Sequence, residues 1–316
     1  MESNSTPIDN ISRQLKNMEK RQKPKMLVVD DEPDNLDLLY RTFRREFRVY
    51  KANSGINALE VLALEGEVAV IISDQRMPEM KGTEFLSKTV PNFPNTVRII
   101  LTGFTDVEDL VDAINSGQVY KYITKPWDPN ELKEVVGKAT ETYTVLKQRT
   151  DELKRSQAQT KILATIAQVA QAYDVIADCL EPIASVFGES FASDVCVLQL
   201  VEEGKLVTAS QGKYAVPGVT IIALEEDSLV QEAINSLQTQ IWVAPSAGKN
   251  TQETEDQQQS SPTNHLVVPI VFREQLLAIL SLQGKYIAQI TEDELQLIHL
   301  STQQVALAMA SIICYQ

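Results

Sequence analysis

The sequence predicts an α/β domain built on a parallel sheet, joined by one long helix to an α+β domain. Three observations predict it. Short β-branched runs alternate with amphipathic stretches five times between Met26 and Asn130, the pattern of βα units with helices on both faces and right-handed crossovers. The fifth helix then runs on, with apolar or small residues at 4-3 spacing well past the reach of such a sheet. From Asp174 onward, paired strand-like runs flank short turns and read as hairpins. A chain of 316 residues has room for two cores of this kind.

Residues 1–24 are polar. Thr6-Pro7-Ile8-Asp9 resembles a capped helix start, and Ile8, Ile11, Leu15 and Met18 fit a short amphipathic helix; a disordered tail is the other reading. Met26–Asp30 is strand one and Pro33–Arg45 a helix. Val49–Ala52 is strand two, Ser54–Glu65 a helix. Val68–Asp74 is strand three, its Val-Ala-Val-Ile-Ile run too short for a helix and apolar on both faces. Pro78 and Gly82 end it before a helix around Thr83–Thr89. Val97–Thr102 is strand four, Val107–Ser116 a helix, Val119–Ile123 strand five, and the last helix begins near Asn130. The strand order 2-1-3-4-5, the flavodoxin-like arrangement, places a switch point between strands one and three.

Leu132, Val136, Ala139, Tyr143, Leu146, Thr150 and Leu153 form a heptad seam. Up to Ala139 it can pack on the domain's own sheet. Tyr143 to Leu153 need another helix or face water; a parallel homodimer is the preferred reading, and a monomer with an antiparallel N-terminal helix against this one is the alternative. The seam loses phase over Lys154–Lys161 and resumes as Ile162, Ile166, Val169 and Tyr173.

The second domain reads as a helix over Val175–Phe187, strands Asp194–Val201 and Lys205–Ser210 around Glu-Glu-Gly, a helix Asp227–Leu237 and a strand Gln240–Val243. Residues 245–264 are Gln-, Ser- and Thr-rich and read as a disordered loop. His265–Phe272 and Gln275–Gln283 form a second hairpin. Thr291-Glu292-Asp293-Glu294 is a capping box opening a final helix apolar at Leu295, Ile298, Val305, Ala308 and Met309. The boundaries that follow are 1–24 for the polar segment, 25–142 for the first domain, 143–160 for the helical linker and 161–316 for the second domain.

A net charge of −14 argues against a large nucleic-acid footprint. No signal peptide or apolar run of spanning length is read, so no membrane partner is expected. Cys179, Cys196 and Cys314 are few, odd in number and scattered, which suits a reducing cytoplasm; Cys179 and Cys314 read as small apolar fillers. His265 and His299 read as structural.

Asp30 and Asp31 end strand one, Asp74 ends strand three, Thr102 ends strand four and Lys125 follows strand five. A parallel sheet gathers all of these into one crevice at its carboxyl edge. Three carboxylates so placed repel unless a cation joins them, and an all-oxygen set suits Mg²⁺. Lys125 adds a point charge for an anion and Thr102 a hydroxyl donor. This is equipment for stabilising a phosphoryl group in transfer, with Asp74 as nucleophile.

Val28-Val29-Asp30-Asp31-Glu32-Pro33, Ser73-Asp74-Gln75-Arg76-Met77-Pro78 with Gly82, Leu101-Thr102-Gly103 and Thr124-Lys125-Pro126-Trp127 resemble the motifs of response-regulator receiver domains, CheY-like in fold. The resemblance implies that Asp74 accepts a phosphoryl group from a histidine kinase or phosphotransfer protein. It implies that Asp30, Asp31, Asp74 and the Arg76 backbone carbonyl hold Mg²⁺, and that Thr102 and Lys125 contact the phosphoryl oxygens. Tyr122 matches the family's switch aromatic, turning inward as Thr102 moves, and Gly103 leaves room for the donor.

Residues from about 160 onward resemble a GAF domain in layout, a family that binds small molecules in a pocket on its sheet and dimerises through terminal helices. The Asn-Lys pair of its cyclic-nucleotide signature is missing around Gly284-Lys285-Tyr286, and no Cys-His pair stands where a bilin would attach. The whole reads as a two-component response regulator, a homodimer acting on an unnamed downstream protein. No helix-turn-helix, kinase, cyclase or phosphodiesterase segment is read, so the only chemistry expected is the receiver's own phosphorylation and dephosphorylation. The alternative is a GAF regulator, or the sensory part of a larger signalling enzyme, in which a small-molecule ligand dominates and the receiver modulates.

Overall fold

In the computed structural model, which describes residues 23–103, 119–221, 223–243, 264–284 and 290–315, the first domain is a five-stranded parallel sheet. Its strands are β1 (Lys25–Val29), β2 (Arg48–Ala52), β3 (Val70–Asp74), β4 (Val97–Thr102) and β5 (Lys121–Thr124), in the order β2-β1-β3-β4-β5. The alternation of side chains along a strand builds two cores at once. Met26, Val28, Val70, Ile72, Ile99 and Leu101 face one way. They meet Leu36, Leu39 and Phe43 of α1 (Pro33–Phe43), and Leu132, Val135, Val136 and Ala139 at the start of α4 (Pro129–Ala172). Leu27, Val29, Ile71 and Ile100 face the other way. Ala58 and Leu62 of α2 (Gly55–Glu65) and Phe85 and Leu86 of α3 (Gly82–Thr89) cover them. Strands buried on both sides are the reason the sequence runs are apolar without alternation.

The sequence limits hold with small shifts. Val68 and Ala69 are buried, but the ladder starts at Val70, opposite Met26. Strand five begins at Lys121 rather than Val119. The expected helix over 107–116 and the N-terminal segment up to residue 22 lie outside the described residues. Ser54 caps α2 by accepting from the Asn57 amide at 3.2 Å.

The long helix departs from expectation after Ala139. Tyr143 packs half-buried against the domain's own core, and burial first, then the nearby Glu67 carboxylate, pushes its hydroxyl pKa up to about 12. Lys147 Nζ lies 3.0 Å from Glu67 Oε2 and 3.5 Å from Asp151 Oδ1. Thr150 Oγ1 donates to Asn95 Oδ1 at 2.8 Å, and Asn95 Nδ2 donates to Glu67 Oε1 at 3.3 Å. Two of the four seam residues assigned to a partner helix therefore face the base of the first domain. Leu146 and Leu153 stay exposed, at 39% and 59%.

The chain divides into two compact units between Leu153 and Lys154. The second unit holds an antiparallel sheet in the order β7-β6-β10-β9-β8, from β6 (Val195–Glu202), β7 (Lys205–Ala215), β8 (Gln240–Val243), β9 (Asn264–Phe272) and β10 (Gln275–Gln283). One face packs on α5 (Ile176–Ser190), α7 (Glu292–Tyr315) and the last turns of α4, where Ile162, Ile166 and Val169 are buried. The resumed seam residues are thus core of this unit. The other face packs Val230, Ala233 and Ile234 of α6 (Ser228–Ser236) on Val195, Val197, Val267 and Ile279.

Strand β7 runs five residues beyond the expected Ser210. It lies directly on α5: a Cβ at Gly212 would fall 2.1 Å from the Leu180 carbonyl carbon. Asp227 caps α6, its Oδ1 accepting from Leu229 N at 2.8 Å. The capping box forms as expected, with Glu294 N donating to Thr291 Oγ1 at 3.2 Å and Thr291 N to Glu294 Oε2 at 2.9 Å. Against the sequence reading, α7 is long and apolar enough by composition to cross a bilayer, but half of that stretch is buried within the fold. Cys179 is buried as expected and Cys196 is buried in β6, while Cys314, expected to be an apolar filler, is exposed. Most of the expected 245–264 loop lies outside the described residues.

Candidate functional site

The carboxyl ends of β1, β3, β4 and β5 bring the expected polar residues to one edge of the sheet. Asp30 follows β1 and is 1% exposed; Asp74 ends β3 and is 6% exposed. Lys125, just past β5, joins them. Its ammonium lies 3.0 Å from Asp30 Oδ2 and also contacts Asp74 Oδ1. Asp30 accepts further from Glu32 N at 2.9 Å and from Asn35 Nδ2 at 3.1 Å. Asp74 Oδ2 accepts from the Arg76 amide at 2.7 Å.

Burial raises the Asp74 pKa above the ordinary carboxylate value. The Asp30 charge adds to that, while Lys125 and the Arg76 amide oppose it. Burial alone would lower the Lys125 pKa, but its bonds to Asp74 and Asp30 outweigh that and hold it high.

The loop after Asp74 is shaped by two devices. Thr83 N donates to Gln75 Oε1 at 3.1 Å and Gly82 N to the Gln75 carbonyl at 3.0 Å. A Cβ at Gly82 would sit 2.2 Å from the Asp74 carbonyl oxygen, so only glycine lets the chain pass this close.

The other expected residues are placed less directly. Asp31 is exposed beside Asp30, and Arg76 is exposed after β3. Thr102 is buried, its hydroxyl turned to the Gly103 carbonyl at 3.1 Å. Tyr122, opposite Ile100, is half-buried against the α2–α3 core. Asn35, which sequence reasoning passed over, donates to both Asp30 oxygens and to Glu32 Oε2. Its only signal was a polar residue in the first turn of α1, on the side of Asp30.

Among the described residues no three His, Cys, Asp or Glu side chains form a ready cage for a metal. A hard cation such as Mg²⁺ needs only one or two carboxylates, with water and phosphate oxygens completing its shell. The Asp30–Asp74 pair, which already draws in the Lys125 cation, fits that need.

In the second unit the expected structural histidines differ. His265 is buried, with Nε2 2.8 Å from Ser281 Oγ and Nδ1 3.2 Å from Asp227 Oδ2. Burial lowers its pKa, against the pull of Asp227. His299 lines a cavity of about 310 Å³ with Thr239, Pro269, Val271, Thr302 and Gln303.

A family model described as the response regulator receiver domain matches residues 26–137, and one described as the GAF domain matches residues 176–309. The chain belongs to the response-regulator family. Its receiver is 38% identical over 115 residues to an uncharacterized 14.6 kDa protein in the sodA1 3′ region of Leptolyngbya boryana, covering 35% of this chain and 86% of that protein. It is 44% identical over 116 residues to the hydrogenase transcriptional regulatory protein HoxA of Cupriavidus necator, covering 37% of this chain and 24% of that one. This response regulator thus spans about a quarter of the length of the hydrogenase regulators it matches. A response regulator receiver domain protein of known structure from Clostridium thermocellum is 26% identical, over 39% of this chain and 98% of that one, with a TM-score of 0.37. The receiver's parallel sheet, long helix and antiparallel GAF sheet are the architecture the resemblance implied.

Proposed function

We propose that Asp74 is the phosphoacceptor of this response regulator. The observation that carries the proposal is the Lys125 ammonium shared between Asp74 and Asp30 at the carboxyl edge of the sheet. An Asp74 carboxylate oxygen attacks the phosphorus of a histidine kinase or phosphotransfer protein. The P–N bond breaks, the imidazole leaves with a proton, and an acyl phosphate forms. Asp30, Asp31, Asp74 and the Arg76 backbone carbonyl would hold Mg²⁺, which when bound offsets charge on the phosphoryl oxygens. Lys125 stays close as a second cation, and Thr102 turns its hydroxyl from Gly103 toward the phosphoryl group while Tyr122 moves inward. Asp74→Asn is expected to abolish labelling by a small phosphodonor with Mg²⁺, read by intact mass. Undiminished labelling would overturn the assignment.

The signal leaves along α4 to the GAF domain and ends in a protein–protein contact. The boundaries are those of a receiver over 25–142, a linker over 143–160 and a GAF domain from 161. The chain acts as a homodimer whose seam includes the exposed Leu146 and Leu153. Aspartate at both positions is expected to leave a monomer with and without phosphodonor. Sedimentation that gives the parent's mass in both conditions would count against the seam.

A second reading makes the GAF domain a small-molecule sensor with the receiver as modulator, and the cavity beside His299 favours it. A stoichiometric small molecule retained in native mass spectrometry supports that reading.

A further inference from the structure

The base of the receiver, opposite the candidate site, carries a polar contact that the proposed phosphoryl chemistry does not use. Glu67 stands just before β3 and Asn95 just before β4. The same two strands carry Asp74 and Thr102 at their other ends. Asn95 and Glu67 bond each other, and together they hold Lys147 and Thr150 of α4.

Asn95 is itself held in place. Buried Arg98 of β4 donates to Thr89 Oγ1 at 2.7 Å, to the Thr96 carbonyl at 2.7 Å and to the Phe93 carbonyl at 2.6 Å, which fixes the chain around Asn95 to strand β4. Glu67 lies in the loop entering β3 and Asn95 in the loop entering β4, so the clasp bridges two neighbouring loops whose strands are tied together at this end by Thr96 Oγ1 donating to the Val68 carbonyl at 2.7 Å and Val97 N to the Ala69 carbonyl at 3.0 Å. Its Asn95–Glu67 bond, at 3.3 Å, is already long.

On α4 the clasped residues include Tyr143 and Thr150, which with Leu146 and Leu153 make 3-4-3 spacing. A two-helix seam needs all four on its contact face. The docked helix offers only Leu146 and Leu153.

We propose that the Glu67–Asn95 clasp is an autoinhibitory latch, in which the receiver base and a second copy of this chain compete for the Tyr143–Thr150 face of α4. Its regulatory arm rests on the phosphoacceptor reading above. A phosphoryl group on Asp74, with Thr102 drawn toward it, shifts the balance toward the undocked helix, in which the Glu67–Asn95 clasp no longer holds Tyr143 and Thr150. The complete seam then pairs with a second chain.

The test uses the full chain, with Glu67→Gln combined with Asn95→Ala, and separately Lys147→Gln, which alters only the α4 side of the contact. Without phosphodonor, both variants are expected to exchange amide hydrogens faster over 141–153 and to self-associate at about tenfold lower concentration than the parent. With donor and Mg²⁺ the parent is expected to match them. Unchanged exchange over 141–153 in both variants overturns the latch. Faster exchange with unchanged self-association overturns the competition with a second copy. If the parent takes up a phosphoryl group without moving toward the variants, the regulatory link fails. If it takes up none, the phosphoacceptor reading fails, while the donor-free arms still decide the latch.

Discussion

Lys125→Ala is expected to destabilise the receiver by about 3 kcal/mol at neutral pH, because it leaves two buried carboxylates facing each other without a cation. Asp30 and Asp74 are 1% and 6% exposed with Lys125 in place, so in the parent the ammonium and not water offsets most of their charge. The pH dependence has a definite sign. Asp74 already titrates above its ordinary value in the folded chain, and removing Lys125 raises it further, against about 3.9 unfolded. Between those two values the folded state binds more protons than the unfolded one, so stability falls as pH rises through the folded pKa. The deficit should therefore shrink as pH drops toward the ordinary carboxylate range, and excess Mg²⁺ at neutral pH should restore part of it. Urea melts across that range are the measurement. An equal deficit at every pH, untouched by Mg²⁺, would mean that lost packing and not charge is responsible.

Phe187→Ala is expected to cost the GAF domain about 4 kcal/mol and leave the receiver's transition where it is. Phe187 is fully buried in the core shared by α5, α7 and the sheet, and the two units have separate cores. The chain's two tryptophans report separately, Trp127 beside the receiver core and Trp242 on β8. Fluorescence unfolding of Trp127→Phe and Trp242→Phe backgrounds therefore follows one domain each. If the Trp127 transition moves as far as the Trp242 transition, the two cores unfold as one.

The parallel sheet was legible because its central strands β1, β3 and β4 are largely apolar runs buried on both faces and bounded by turn residues. The site was legible for a related reason: Asp30, Asp74, Thr102 and Lys125 each interrupt or follow such a run, so strand order alone brings them together. What escaped was whatever depends on contacts distant in the chain. Asn35 looks like any polar residue in a first helical turn until Asp30 is placed beside it. Glu67 and Asn95 are ordinary polar residues in loops, and nothing in their neighbours points to α4. Periodicity marked Tyr143 and Thr150 as facing something; it could not distinguish another helix from the receiver's own base. The sequence ends β7 at Ser210 because Ser210 to Lys213 reads as polar loop, although Gly212 is there to let the strand touch α5.

The buried polar group of the GAF sheet acts as a register pin. Strands β9 and β10 meet across a two-residue turn, which would ordinarily set their alignment. An irregularity between Leu276 and Ala278 shifts that alignment soon after the turn. Beyond it, His265 finds Ser281, and Asn264 Nδ2 donates to the Gly284 carbonyl at 3.3 Å. A slip of one residue along β9 would turn His265 toward the face of Leu266 and Val268, where the α5–α7 core offers it no partner. Such misalignments are disfavoured by the desolvated imidazole they would strand. The hairpin can thus carry an extra residue without losing its place.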